Sequence, residues 1–136
     1  MKPVVQALGE VALIVNDLER MERFYTEVVG LELLRKFPGI VFYKIGEGYA
    51  GHTQILALFH HSVRNRGIRD TEALTSLYHF ALAIGLGDYH AEKERLENLG
   101  VTVRTEEFAW VHWRSLFNTD PEGNSIEFVC YDETVL

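Results

Sequence analysis

The stretch EVALIV at residues 10–15 recurs as HFALAI at residues 79–84. Both are short apolar runs of strand type, and each is followed by a helical pattern that ends at a glycine, Gly30 in the first copy and Gly100 in the second. Three further strand-like runs complete each copy, at 31–37, 40–45 and 53–59 and then at 101–105, 111–118 and 125–131. The sequence therefore predicts an α+β fold made of two βαβββ half-modules.

The length of the repeat sets the predicted domain organisation. A period of about 70 residues is too long for a solenoid unit, so we interpret the repeat as a duplicated half-domain. One domain over residues 1–136 then contains half-module 1 at about 7–60 and half-module 2 at about 78–132. The polar, arginine-containing segment at about 61–77 is predicted to link the two.

Capping and turn residues predict where the helices and the last hairpin begin. Asn16 followed by Glu19 has the spacing of a capping box, so we expect Asn16 to cap the first helix. Asp88 is the expected cap of a second helix that runs to Leu99. The sequence DPEG at residues 120–123 places Asp, Pro and Gly where a type I turn prefers them.

Composition excludes several classes of function. Thirteen basic and 20 acidic residues give a net charge of −7, which would repel phosphate backbones, so no nucleic-acid partner is expected. The single cysteine, Cys130, allows no disulfide within one chain and favours a reducing, cytoplasmic location. We find no apolar run of signal-peptide or membrane-spanning length and expect no membrane partner. A small molecule remains the expected ligand.

Strand alternation singles out one polar group on each of three strands. Side chains alternate across a strand, so each polar residue shares a face with small or apolar neighbours: Glu10 with Ala12 and Ile14, His79 with Ala81 and Ala83, and Glu127 with Ser125 and Val129. Such a group must be paired, hydrogen-bonded or bound to a metal. Together the three predict one shared metal site, where a divalent cation would relieve carboxylate repulsion. Two alternatives stay open: each reaches water at a strand end, or a carboxylate pairs with His79.

Further side chains are expected to line a substrate cavity beside this site. They are Gln54, Tyr43, Trp113, Ser115 and Phe117. We expect the fourth strand to turn Gln54, Leu56 and Leu58 towards the face of Glu10, which would make Leu56 or Leu58 the repeat-mate of Glu127. The alternative for Gln54 is a solvent-facing position. For the two tryptophans, Trp110 and Trp113, the alternative is a place in the core or on a dimer surface.

Several motifs resemble those of a known superfamily. Two parts of the sequence resemble the half-modules of glyoxalase, bleomycin-resistance and extradiol-dioxygenase proteins, the vicinal-oxygen-chelate superfamily. They are the stretch VALIVNDLER at 11–20 and the short segments at 24–25, 29–31, 79–82 and 99–101. The most specific piece is DPEGN at 120–124 with IEF at 126–128. The resemblance implies an open, mixed eight-stranded sheet or barrel. It also implies metal ligands at Glu10, where the family usually has histidine, and at His79 and Glu127.

The resemblance also implies a chemistry. In such proteins a metal chelates two neighbouring substrate oxygens, and a ligand carboxylate, here Glu10 or Glu127, can double as the base. One nitrogen and two carboxylates differ from the two-histidine, one-carboxylate set of iron oxygenases, so a lyase or isomerase is favoured over a ring-cleaving dioxygenase. Mn²⁺, Mg²⁺, Zn²⁺ or Ni²⁺ is the expected cofactor.

Two other functions and a homodimer are also compatible with the resemblance. A metal-free binding protein of the bleomycin-resistance kind would use an acidic, aromatic groove, consistent with the negative charge and with Trp110 and Trp113. A scaffold that has lost its site is the third reading, since fold does not fix function. We expect a homodimer, because paired half-modules leave apolar edges that related proteins commonly bury between chains.

Overall fold

Each half of the sequence repeat forms its own four-stranded mixed sheet. The computed structural model describes residues 3–136 and separates into two compact units, Met1–Thr71 and Glu72–Leu136. Their boundary falls inside the segment 61–77 that the sequence predicts as a linker. Residues 1 and 2, which belong to the predicted domain 1–136, lie outside the described residues. The predicted α+β class with two βαβββ modules is confirmed.

The first unit contains four strands and one helical segment. Its elements are β1 (Glu10–Val15), α1 (Leu18–Arg23), which continues as π-helical turns over Phe24–Val29, then β2 (Glu32–Phe37), β3 (Ile40–Glu47) and β4 (Thr53–His60). Gly30 ends the helical segment with φ of 81°, in the left-handed region where glycine carries no steric cost.

The second unit repeats this order. Its elements are β5 (Phe80–Ala83), α2 (Tyr89–Asn98), β6 (Arg104–Phe108), β7 (Trp113–Thr119) and β8 (Ser125–Tyr131). The hairpin turn between β7 and β8 is closed by the amide of Gly123, which donates to the carbonyl of Asp120 at 3.0 Å. The Asp120 carboxylate also accepts from the amides of Glu122 and Asn124, as the predicted turn requires.

In both units the last strand pairs with the first in parallel. The strand order is β1-β4-β3-β2 in the first sheet and β5-β8-β7-β6 in the second. Ala12 lies opposite Ala57 on β4, and Ala81 lies opposite Glu127 on β8. These registers define which residues of the two halves are equivalent.

One face of each sheet is apolar and forms the core. In the first unit this face carries buried side chains from three strands, namely Leu13, Val15, Val41, Tyr43, Leu56 and Leu58. In the second unit it carries Leu82, Leu116, Ile126, Phe128 and Cys130. The opposite faces carry Glu10 in the first sheet and Glu127 in the second, and we call them the Glu10 face and the Glu127 face.

The predicted capping box at the first helix is wrong. Asp17, and not Asn16, caps α1, since its carboxylate accepts from the amide of Arg20 at 3.1 Å. The Asn16 amide group instead exchanges two hydrogen bonds of 2.7 Å with the backbone of Arg69. At the second helix Asp88 holds the expected position but makes no side-chain cap bond.

Within residues 3–136, no helix has the length and apolarity that a membrane crossing needs.

Candidate functional site

Glu127 is the centre of a polar cluster in the second unit. It lies on β8, which has β5 on one side and β7 on the other. Its side chain is only 4% exposed. Its neighbours on the strand, Ile126 and Phe128, are buried apolar residues of the core. A carboxylate in such surroundings must have both oxygens engaged. Two side chains from the flanking strands engage them.

His79 engages the first oxygen. It lies immediately before β5, diagonally across from Glu127, with Nε2 at 3.1 Å from Oε1. The imidazole side chain remains 30% exposed, so this edge of the cluster is reachable from outside the unit. The pairing of His79 with a carboxylate, left open as an alternative by the sequence, is present in the structure.

Ser115 engages the second oxygen. It lies on β7, fully buried, and its hydroxyl donates to Glu127 Oε2 at 2.5 Å. The backbone of Ser115 is held from the core face, where the Tyr89 hydroxyl of α2 donates to the Ser115 carbonyl oxygen at 3.1 Å. Burial raises the pKa of Tyr89, which keeps this hydroxyl a donor. Sequence reasoning placed Ser115 in the cavity but missed Tyr89, because nothing in the helical pattern marks it.

Aromatic side chains border the cluster on the Glu127 face. Phe117 lies directly opposite Glu127 and presents its ring at 88° to His79, with centroids 5.5 Å apart. The Arg104 guanidinium from β6 lies 4.3 Å from the centroid of Phe117. Trp113, at the far end of β7, is 39% exposed. The predicted residues Trp113, Ser115 and Phe117 thus occupy one face of the strand, the face that carries Glu127.

In the first unit, the predicted ligand Glu10 lies on the sheet of that unit. Glu10 is exposed at the start of β1 and lies opposite Ile55 of β4. The register places Phe42 and Lys44 of β3 on the same Glu10 face. Lys44 pairs with Glu47 at 2.7 Å, and this carboxylate raises the pKa of the ammonium. The sequence analysis did not place Phe42 and Lys44 on the Glu10 face. Alternation along β3 shows that these two residues share a face, but only the pairing with β4 shows which face it is.

Two predicted cavity residues lie on the other side of the first sheet. Tyr43 is fully buried on the core face, where its hydroxyl donates to the carbonyl of Glu22 and contacts the Thr26 hydroxyl at 2.9 Å. Gln54 shares its strand face with the core residue Leu56, and its amide donates to the Glu47 carbonyl at 3.3 Å. The expected orientation of Gln54 towards the face of Glu10 is therefore wrong, because the pairing of β4 with β1 and β3 turns Gln54 and Leu56 to the opposite face. Tyr43 lies on that opposite face as well.

The same register corrects the predicted repeat-mate of Glu127. Glu127 lies opposite Ala81, and the equivalent position opposite Ala12 is Ala57, not Leu56 or Leu58. The first unit therefore has an alanine methyl group where the second has a carboxylate.

A complete metal-ligand cluster would need at least three donors close together. Across residues 3–136 the structure shows no group of three or more His, Cys, Asp and Glu side chains arranged to hold an ion. What it shows in the second unit is a nitrogen and a carboxylate in direct contact. The convergence of Glu10 with His79 and Glu127 remains a prediction.

The family follows from a match over most of the chain. Residues 7–128 match the Glyoxalase/Bleomycin resistance protein/Dioxygenase superfamily, and the chain belongs to it. No protein of curated function is similar enough to count as a relative.

Solved structures similar to this chain agree with the family. The lactoylglutathione lyase of Agrobacterium tumefaciens is 28% identical, with a TM-score of 0.70 and 96% of each chain covered. An integron cassette protein, HFX_CASS4, from the Halifax Harbour sewage outfall metagenome is 25% identical, with a TM-score of 0.68, covering 93% of this chain and 99% of that one. The fosfomycin resistance protein FosX of Mesorhizobium loti, 23% identical with a TM-score of 0.67 over 96% and 97% of the two chains, shows the fold alone.

Proposed function

We propose that the chain is a metal-dependent enzyme of the lyase or isomerase class, acting on a small molecule with two neighbouring oxygens. The observation that carries the proposal is the direct contact between His79 Nε2 and Glu127 Oε1 on the Glu127 face. Glu10 is proposed as the third ligand. A lyase of the same fold, 28% identical to this chain, supports the class of reaction.

His79 and Glu127 would supply two of the donors that a divalent cation needs. Two donors that each bind a transition metal at about 2.1 Å lie roughly 3 Å apart when they are adjacent in the coordination shell, and the His79–Glu127 separation is 3.1 Å. Imidazole nitrogen with carboxylate oxygen is a combination that Mn²⁺, Zn²⁺ and Ni²⁺ accept, whereas Mg²⁺ prefers oxygen alone. When bound, the cation would stabilise negative charge developing on the two substrate oxygens.

Other side chains would provide the base and the aromatic surroundings of the proposed metal site. Glu10 or Glu127 is the candidate base. The aromatic ring of Phe117 packs edge-on against the His79 imidazole, and the exposed Trp113 would offer an apolar surface to substrate. Metal binding to His79 would require the neutral imidazole with its Nε2 lone pair free.

Calorimetric titration with Mn²⁺, Ni²⁺ and Zn²⁺ tests the proposal. We expect stoichiometric binding to the wild-type protein. His79→Ala should weaken Zn²⁺ and Ni²⁺ more than Mn²⁺, because imidazole favours the first two. Glu127→Gln removes the charge, keeps the shape and should weaken all three. His90→Ala, on the surface of α2, is a matched control and should leave every affinity unchanged. Absence of binding to the wild type would overturn the metal-dependent reading.

A metal-free binding protein is the second candidate. It is favoured by one observation: His79 and Ser115 contact the two oxygens of Glu127 directly. The exposed Trp113 on the Glu127 face, in a chain of net charge −7, would suit a cationic aromatic ligand. This candidate predicts no stoichiometric metal in the same titration, and quenching of tryptophan fluorescence by such a ligand, lost in Trp113→Leu.

A further inference from the structure

We propose that Ser115 is a positioning residue that holds the Glu127 carboxylate in one orientation and leaves Oε1 alone to bind the cation. The inference rests on the proposed metal site and adds to it a residue and a coordination mode. Ser115 itself touches neither cation nor substrate in this arrangement, and it acts through Glu127.

The hydrogen bond between the two side chains is direct and shielded from water. The Ser115 hydroxyl donates to Glu127 Oε2. Ser115 is fully buried and Glu127 is 3% exposed, so water does not compete for either partner. The hydroxyl is therefore a fixed donor to one oxygen of the carboxylate.

The serine is itself held in place from the opposite face of the sheet. The Tyr89 hydroxyl donates to the Ser115 carbonyl, and the Tyr89 ring lies 5.7 Å from the guanidinium carbon of Arg114. A chain of contacts thus runs from α2 through β7 to the carboxylate on β8. Positioning groups of this kind, behind a metal ligand, typically change metal affinity when they are removed.

Fixing Oε2 restricts how Glu127 can bind. The terminal torsion of a glutamate is broad, and a free carboxylate can bind a cation through one or both oxygens. With Oε2 accepting from Ser115 and Oε1 facing His79 Nε2, only Oε1 lies beside the other donor. If a cation binds, Glu127 would hold it through Oε1, the oxygen beside His79, while Ser115 would keep Oε2 engaged.

The repeat provides an internal comparison. Ser115 lies opposite Val129, and the equivalent position in the first unit is Ile40, opposite Phe59. The first unit has Ala57 at the equivalent of Glu127. The serine is therefore present in the half that has the carboxylate and absent, together with it, from the half that does not. This is expected if the serine serves the carboxylate rather than the fold.

Metal titration of serine variants tests the assignment, with Mn²⁺, Ni²⁺ and Zn²⁺ alone as probes. Ser115→Ala should weaken binding by about 10- to 100-fold, the effect usual for losing a group behind a ligand. Ser115→Thr keeps the hydroxyl and should recover most of that loss. Thr134→Val is the matched control, because it removes another hydroxyl-to-carboxylate hydrogen bond, to Asp132 Oδ1, and it should bind as the wild type does. Thermal unfolding of each variant is measured in parallel.

The outcomes separate the inference from the proposed function. If the wild type binds metal and Ser115→Ala binds equally well, the positioning role is overturned and the metal site stands. A lower melting temperature with unchanged affinity leads to the same conclusion, since a purely structural serine would behave so. If the wild type binds no metal, the proposed function and the positioning role fail together. Should Ser115→Ala not fold, Ser115→Val, which has the shape of the threonine variant but lacks its hydroxyl, should weaken binding in the same way.

Discussion

Among single residues, Asn118 is the side chain least matched to its surroundings. It lies on the core face of β7, opposite Ile126, and is 4% exposed. Among the residues that the structure describes, neither Nδ2 nor Oδ1 finds a hydrogen-bond partner. An amide buried in this way costs about 1–3 kcal/mol, so Asn118 lowers the stability of the second unit.

Replacing Asn118 by leucine should therefore stabilise the protein. We expect Asn118→Leu to raise the free energy of unfolding by about 1–3 kcal/mol, because the desolvation penalty disappears and apolar contact is gained. Urea unfolding measures the difference. Asn124→Leu is the matched control and should destabilise, since the Asn124 amide donates to Asp120 Oδ2 at 2.9 Å. Unchanged or lower stability of Asn118→Leu would mean that the amide is bonded, for example to an internal water.

The sequence predicts which strand residues belong to the site only where it shows which face of the sheet each residue occupies. For Glu127 the alternation is unambiguous, because Ile126 and Phe128 beside it are large and apolar. For Tyr43 and Gln54 both choices of face offer apolar neighbours, such as Phe42 or Leu56, so alternation cannot decide. The choice is made by pairing with strands distant in sequence, and a shift of one residue reverses every face.

At the level of elements, the turn after β8 contains an ionisable group that is bonded on several sides. Asp132 accepts from the Thr134 hydroxyl at 2.7 Å and the Thr134 amide at 3.0 Å, and Arg114 Nε donates to it at 3.1 Å. These bonds, the Thr134 hydroxyl first among them, hold the pKa of Asp132 below its ordinary value.

This depressed pKa predicts a pH-dependent contribution to stability. Because the folded-state pKa lies below the unfolded value of about 3.9, the stabilisation is complete above that value and is lost as pH falls through the folded pKa. Asp132→Asn should therefore lower the melting temperature at neutral pH, and the gap from the wild type should narrow below about pH 4. Thermal scans across this range measure it, and a gap independent of pH would contradict the assignment.

The boundaries of helices and strands were predictable where clear capping or turn residues delimit them in the sequence. The bounds of β1 and β8 agree with the sequence at both ends, since capping or turn residues and clear apolar runs delimit them. β6 begins at Arg104 and not at 101, because its alternating polar residues give no apolar run to define a start. The cap of α1 was misassigned by one position, since Asn16 and Asp17 are both good caps and only the bond to Arg69 distinguishes them.

For the whole molecule, we expect a homodimer. The edge strand β2 is exposed along its entire length, with Leu33, Leu34 and Phe37 each more than 40% exposed. An apolar, unpaired sheet edge is a surface that proteins usually cover. Sedimentation equilibrium should give twice the chain mass of 15.6 kDa. A monomeric mass at micromolar concentration would contradict the prediction.

The strand order has a consequence for how the chain acquires its fold during synthesis. In each sheet the last strand in sequence lies between the first and the third, so β1 has no neighbour within its sheet until β4 has left the ribosome. The hairpins of neighbouring strands can form early, but the parallel pairing of β1 with β4 closes a long loop and comes late. In a nascent chain that ends before Thr53, the apolar strand β1 is therefore unpaired. During this stage of synthesis the chain needs protection from aggregation.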